Sequence, residues 1–557
     1  MKNRKTYLLL LVFLVVFIIN PFGKSIFELP KIHFLSISLS VIAIWRIVRF
    51  FKKREFSVRY SVPVLILLGF FLLSLVISTV FSIAPSLSFW GSYIRIQGLY
   101  SYLIYVIFFL IFINFLKTEK EQEATLKVLV LLSAVTAVHA VLEHFGILAF
   151  STQALIDQEF YGRSFSTLGQ PNYLGQFLIF PIWGGVYFVL KEKKFRQKLT
   201  YAAVTSLLLV GLMLTQNRAS ILGIIIGAVF LILLVSKIKS IYKYLISGGL
   251  MAAFAGFIVF FAPTMRSLLS RLYIWKGSLA AFTEHPIIGS GLETFQIVFQ
   301  KTSPEKLLTL EKTYSVADRA HNQFLDILVT QGALGLAIFL AVLAGIFYLI
   351  FRNKKELKSD KILLISACAL ISTIISNFFS FPVTVHYLVF VLLVAIILSR
   401  TVKFKIITMK INIISVFISG MLAVFSFLNI YNSAKLVYAD TLLARGIKHV
   451  QFGQVEEGVN EIFSSARLNP NQAETFYELS AILVEISRAS SNSEILEKAD
   501  EMVEYGGEFT NFDFRYYYFK GKIAAAAGNY TEAESLFKKA NELAPTNPAI
   551  IDELNKF

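Results

Sequence analysis

A few side chains stand out by type and spacing. Arg95, Arg163 and Arg218 are each the single arginine of a short break between apolar runs. Arg266, Arg271, Arg319 and His321 share one longer break, at about 263–322. Arginine carries a rigid, permanently charged fork of donors that matches phosphate oxygens. Several of them on one face, with no Asp/Glu-rich metal motif of the DxD kind beside them, suit a diphosphate leaving group and imply no metal. His321, in Asp318-Arg319-Ala320-His321-Asn322, is the candidate base, since an imidazole can take the proton of an attacking hydroxyl near neutral pH. The plainer alternatives are a histidine that caps or packs a helix start, and arginines that anchor to lipid headgroups or pair with a local acid. His285 precedes Pro286 and Gly289 and reads as a turn residue. His139 and His144 read as packing or interface residues, and His386 as a minor candidate near the same surface.

The elements that must position these groups are membrane spans. Of 557 residues, 56% are hydrophobic and 16% charged, too little polar surface for a soluble fold. The lone cysteine, Cys368, excludes a disulfide framework. Apolar runs long enough to cross hydrocarbon as helices fall at about 7–22, 33–50, 62–82, 98–116, 125–148, 173–190, 199–215, 219–236, 243–262, 323–351, 361–380, 382–399 and 410–430. The first lacks a small-residue cleavage site and reads as a retained anchor. Lys and Arg crowd alternate loops: Lys2-Arg4-Lys5, Lys52-Lys53-Arg54, Lys191 to Lys198, Lys237 to Lys243, Arg352 to Lys358 and Arg400 to Lys405. Cytoplasmic loops carry such an excess, so the N-terminus is expected inside, and the loops bearing Arg95, Arg163, Arg218, Arg271 and His321 outside. From Tyr431 onward 12 Lys and Arg face 19 Asp and Glu, against 41 and 17 before it. The shift sets an expected boundary between a membrane domain, 1–430, and an acidic tail, 431–557, on the outer side. The basic excess follows topology, and no aromatic-interleaved patch of the nucleic-acid-binding kind accompanies it.

A cation such as Arg218 between two close spans is expensive unless it faces a polar cavity. A polyprenyl-diphosphate-linked sugar fits the pattern: its tail in the bilayer, its diphosphate at the interface, its glycan outside.

Four segments resemble the O-antigen ligase family, also called the O-antigen ligase/polymerase-related membrane family. They are Arg95-Ile96-Gln97-Gly98; Arg163 with Gly169-Gln170-Pro171-Asn172-Tyr173; Thr215-Gln216-Asn217-Arg218-Ala219-Ser220; and the long break itself. That break carries Arg271-Leu272-Tyr273-Ile274-Trp275, then His285-Pro286-x-x-Gly289-x-Gly291, then Ala320-His321-Asn322 with Gly332 and Gly335. The likeness covers roughly residues 60–400. It implies an all-α polytopic bundle of the GT-C type, with about thirteen spans, in the cytoplasmic membrane. It also implies a cofactor-free transferase that moves a glycan from a polyprenyl diphosphate to a lipid, glycan or protein acceptor. By the same likeness Arg218 and Arg271 hold the diphosphate and His321 engages the acceptor hydroxyl. Arg95, Arg163, Asn172, Arg319 and Asn322 are the expected substrate-binding set. A lipid-linked glycan transporter would also use arginines, but along a mid-membrane path. A scaffold displaying its tail would leave them unexplained.

The tail resembles tetratricopeptide repeats, whose paired helices pack through small and large residues at fixed spacing. Gly521, Ala533, Phe537, Ala540 and Pro545 fit one window, with a turn at Gly528-Asn529-Tyr530. Gly446 and Pro470 match the first and last of these positions 75 residues earlier. The unit between, near 473–508, is expected to be degenerate or expanded, with Ala489 to Ser493 as an insertion. Such stacks form grooves for peptides or partner proteins.

Overall fold

The computed structural model describes residues 13–147, 162–236, 239, 241–242, 248–249, 266–310, 317–470, 473–490, 492–510 and 512–557. The described chain is helical apart from loops and one two-stranded ribbon. Its long apolar helices are α1 (Glu28–Lys53), α2 (Val62–Val80), α4 (Leu99–Phe115), α5 (Glu119–His144), α6 (Pro171–Lys191), α7 (Phe195–Leu214), α8 (Arg218–Val235), α12 (Gln323–Arg352), α14 (Lys361–Phe378), α15 (Thr384–Thr401) and α16 (Ile413–Gln451). All but α4 are long and apolar enough to cross a bilayer, and α4 is a shorter apolar helix of 17 residues. Between them lie the short α3 (Pro85–Trp90), α9 (Arg266–Phe282), α10 (Phe295–Thr302), α11 (Lys306–Leu310) and α13 (Lys354–Ser359).

Eleven expected spans correspond to these helices. The one at 243–262 lies almost wholly outside the described residues, as does 7–22 up to residue 12. From Leu14 the latter is a 3₁₀ turn that ends at Phe17. Asn20-Pro21-Phe22-Gly23 follows, and a residue before proline is held out of the helical region.

α6 is the most enclosed span, with 83% of its apolar window buried. α5, α7, α8, α14 and α15 pack around it. Gly184 and Gly185 bring Val130 of α5 and Thr205 of α7 against its backbone.

The loops gather at two ends of the bundle. At one end, β1 (Glu55–Tyr60) pairs antiparallel with β2 (Lys405–Lys410). There Arg400 bonds Asp360 and Glu119, and Lys361 Nζ donates to Leu190 O at 2.6 Å. At the other end Ile83 N donates to Ser290 O at 3.0 Å, and Arg95 bonds Asp318. The first group is the Lys/Arg-rich set.

α12 is kinked at Gly332, whose φ of 68° and ψ of −173° leave the helix. The His285–Gly291 turn fills the gap. Ala333 N donates to Pro286 O at 2.9 Å and Gly291 N to Thr330 O at 2.9 Å. Gly289, at φ 76°, lies so close that a Cβ there would strike the Thr330 backbone. The histidine-proline-glycine motif therefore rebuilds the hydrogen bonds of a broken helix, as the turn reading of His285 anticipates.

Beyond the bundle come α17 (Val455–Leu468), α18 (Ala473–Ser490), α19 (Ser493–Thr510), α20 (Phe514–Ala526), α21 (Tyr530–Leu543) and the short α22 (Pro548–Leu554). They pack as successive pairs: the end of α16 with α17, α18 with α19, α20 with α21. The composition change near 430 falls inside α16, a single helix of 39 residues and about 58 Å, so no linker separates bundle and tail. The middle pair is longer because both helices have 18 residues, against 13 and 14 in the pair that follows. Of the Ser/Asn-rich stretch expected as an insertion, Ala489 and Ser490 end α18 and Ser493 opens α19.

Candidate active site

The arginine-bearing loops converge at one end of the bundle, and the local sequence shows how each is held. Glu143, at the end of α5, accepts from Phe165 N at 3.0 Å and Ser166 N at 2.8 Å, which fixes the loop after Arg163. Arg163 then donates from Nε to Thr215 O at 3.0 Å and from Nη2 to Asn172 Oδ1 at 3.1 Å. Asn217 caps α8 by accepting from Ser220 N at 3.2 Å, and its Nδ2 donates to Asn172 O at 2.9 Å. These bonds set Arg218, the first residue of α8, beside Arg163 and Asn172. Arg218 is exposed and makes no ion pair among the described residues. It stands at a helix N-terminus, where the macrodipole also favours an anion.

The second cluster is built around Arg95. Its Nε and Nη2 donate to Asp318 Oδ2 at 2.7 and 2.5 Å, and Nη1 donates to the Tyr173 hydroxyl. The guanidinium stacks 5.0 Å from the Phe381 ring, and Phe381 packs 5.4 Å from the His321 ring. Burial would raise the Asp318 carboxyl, but Arg95 and His321 together hold it below its ordinary value. For His321, burial is the largest influence and pushes the imidazole below its ordinary value. Arg271 and Arg95 push the same way, and Asp318 opposes them. Arg271 reaches this centre from α9, where it is half-buried. The Trp275 indole, one turn on, donates to Ala320 O at 3.1 Å and so fixes the residue before His321.

Arg319 and Asn322 are placed differently from the other expected binding residues. Arg319, 8% exposed, is clamped by Glu293 and by Asp326, the latter at 3.0 Å. Asn322, 2% exposed, caps α12 by accepting from Phe324 N at 2.9 Å and Leu325 N at 3.2 Å. Both hold the entry of the kinked helix. His386 is buried rather than at the surface. Its Nδ1 accepts from Val383 N at 3.0 Å, so Nε2 carries the proton and donates to Tyr173 O at 2.8 Å.

Three residues were not singled out in the sequence. Asp318 stands inside the motif that contains His321, and only the fold shows that it serves Arg95. Glu293 accepts from Ser92 N at 3.0 Å and Ser92 Oγ at 2.6 Å while holding Arg319, which ties the Arg95 loop to the long loop. Phe381 comes from the turn between α14 and α15, where no local signal marks it.

Among the described residues, six non-glycine residues have positive φ: Arg54, Ile96, Ser166, Gln216, Glu293 and His321. All but Arg54 lie at this end, next to the arginines or in the site itself. Such strain persists only where the surroundings enforce it, and it clusters at functional sites.

A cavity of about 660 Å³ runs between α2, α4, α12 and α15. Gln323, two residues after His321, lines it at one end, and Arg352 and Lys403 line it at the other. Its walls are mainly apolar, among them Phe71, Phe109, Leu349 and Phe390. Among the described residues, side chains that could share a metal come together as His449, Glu457 and Glu461 in the tail, where Arg445 already pairs with Glu461 at 2.5 Å.

Comparison with known proteins follows the same residues. No curated protein matches the chain. Residues 203–340 match the family model Wzy_C, O-antigen ligase. That span runs from α7 through the first half of α12 and includes Arg218, Arg271, Arg319, His321 and Asn322. The chain is an all-α polytopic membrane protein whose residues 203–340 are similar to the O-antigen ligase family.

Proposed function

We propose that this protein transfers a glycan from a polyprenyl diphosphate to an acceptor hydroxyl at the outer face of the cytoplasmic membrane. One observation carries the reading: a long apolar groove ends two residues from His321, at the end of the bundle where Arg218 and Arg271 stand. A lipid tail in the groove leaves its diphosphate at that end, within the field of these cations and the α8 N-terminus. His321, neutral at physiological pH, takes the acceptor hydroxyl proton as the oxygen bonds to the anomeric carbon. The glycosidic bond to phosphate breaks, and the electron pair leaves with the polyprenyl diphosphate. Arg218 and Arg271 stabilise the charge that develops there. The arginines lie at span ends rather than along a mid-membrane path, which favours transfer over translocation. The Lys/Arg-rich loops at the opposite end support a cytoplasmic assignment for that end.

The test is reconstitution of the full chain with a lipid-diphosphate-linked glycan and an acceptor. Wild type consumes donor and releases polyprenyl diphosphate, whereas R218A, R271A and H321A insert normally and do not. Undiminished transfer by all three variants overturns the assignment. One unit per product identifies a ligase, and many identify a polymerase.

A further inference from the structure

A cavity of about 300 Å³ lies between the bundle and the tail, outside the lipid groove. Its membrane-domain wall includes Lys24, Phe27, Tyr93 and Gln170, and Arg95 closes it on the side of the reacting centre. Thr475 and Glu478 of α18 supply the opposite wall. Lys24 Nζ spans the gap, donating to Glu478 Oε2 at 2.6 Å and Thr475 Oγ1 at 3.4 Å. Asp440 of α16 fixes the loop beneath by accepting from Ser25 N at 2.9 Å and from Asn20 Nδ2 at 3.4 Å. α16 is continuous from bundle to tail, so the two walls belong to one connected frame.

We infer that this cavity binds a sugar unit of the acceptor, and that the tail completes the acceptor subsite. The inference rests on the transferase reading above. The lining selects the ligand class. Lys24, Gln170, Thr475 and Glu478 offer donors and acceptors of both signs, which suits neutral hydroxyls. Phe27 and Tyr93 supply aromatic surface for the apolar faces of a sugar ring. A lipid chain would leave the polar groups unpaired, and a second diphosphate would meet Glu28 and Glu478. The Lys24–Glu478 pair is partly exposed, at 29% and 67%, so hydroxyls can replace it at little cost. Geometry gives the direction of approach. Arg95 lines this cavity and stacks on Phe381, which packs 5.4 Å from the His321 ring, whereas Arg271 does not line it. The donor diphosphate occupies the Arg271 side, and the acceptor hydroxyl enters from the tail side.

The experiment uses the full chain in lipid nanodiscs. Saturation-transfer NMR is recorded with free oligosaccharide released by mild acid from the host's lipid-linked glycan. Competition is run with a Ser/Thr-containing peptide. Wild type is compared with K24M, E478Q and Q170A, each checked for an unchanged melting temperature. The expected result is an oligosaccharide signal that falls at least fivefold in the variants and resists the peptide. In turnover assays the acceptor KM rises at least fivefold, with donor KM and kcat unchanged. An equal signal in wild type and variants, no signal in wild type, or displacement by the peptide each overturns the inference. R218A separates the two claims, because it abolishes transfer but keeps the oligosaccharide signal.

Discussion

The two ends of the helical bundle use the same residue types for opposite purposes. At the Lys/Arg-rich end many cations are exposed to solvent, and carboxylates answer two of them. Lys191 pairs with Glu123 at 2.5 Å, and Arg400 pairs with Asp360 and Glu119. Among the described residues there, the strained non-glycine residue is Arg54, which closes helix α1 in the left-handed region. At the opposite end the Arg319 ion pairs are buried, five positive-φ residues gather, and Arg218 stays exposed without a carboxylate among the described residues. Charge at the first end satisfies a topological requirement that many arrangements could meet. Charge at the second is held in one geometry by caps, clamps and a kinked helix. Burial and enforced geometry, not the count of arginines, distinguish a site from an anchor.

That contrast can be broken or sharpened by substitution. The largest effect is expected from R218A and R271A, each lowering the rate of donor consumption about 10²–10³-fold, as losing one preorganised charge donor does. K191A at the other end leaves the rate within about threefold, and comparable losses at both ends would erase the distinction. H321A ranks with them, with a loss of about 10²–10³-fold. The depressed imidazole also fixes a sign. The neutral base is fully present above its lowered pKa and is lost as pH falls through it, so the acid limb of the rate profile lies below the ordinary value of about 6.5. An acid limb above that value would show that His321 is not the base. Next is E293Q, which strips Arg319 of its most buried partner, 1% exposed. It should lower stability by about 3 kcal/mol, read as a melting shift in detergent. G332A should cost about 1–3 kcal/mol, because alanine tolerates neither its φ nor the nearby Ile287 carbonyl. The smallest change is again K191A, below about 1 kcal/mol in stability.

Much of this was legible before the fold. Spans are read from hydropathy because a bilayer leaves helices few alternatives, and eleven runs became helices at the expected places. The break at Asn20-Pro21 was visible as residues but was overridden by the apolar run around it. The candidate residues were found from charge in apolar context, a signal that does not depend on packing. Their partners were not, since Asp318 and Arg95 are 223 positions apart.

Hydropathy and charge act residue by residue, so the membrane class, the alternation of basic loops and the candidate side chains could be read from the sequence alone. Only the tertiary structure decided how the arginines divide. Arg319 is neutralised within the scaffold, Arg95 is spent on Asp318 and Tyr173, and Arg218 remains without a carboxylate partner among the described residues. It also decided that the tail grows out of the bundle on one helix and walls a cavity beside Arg95. These are properties of distances between segments far apart in the chain, and such distances are set by packing.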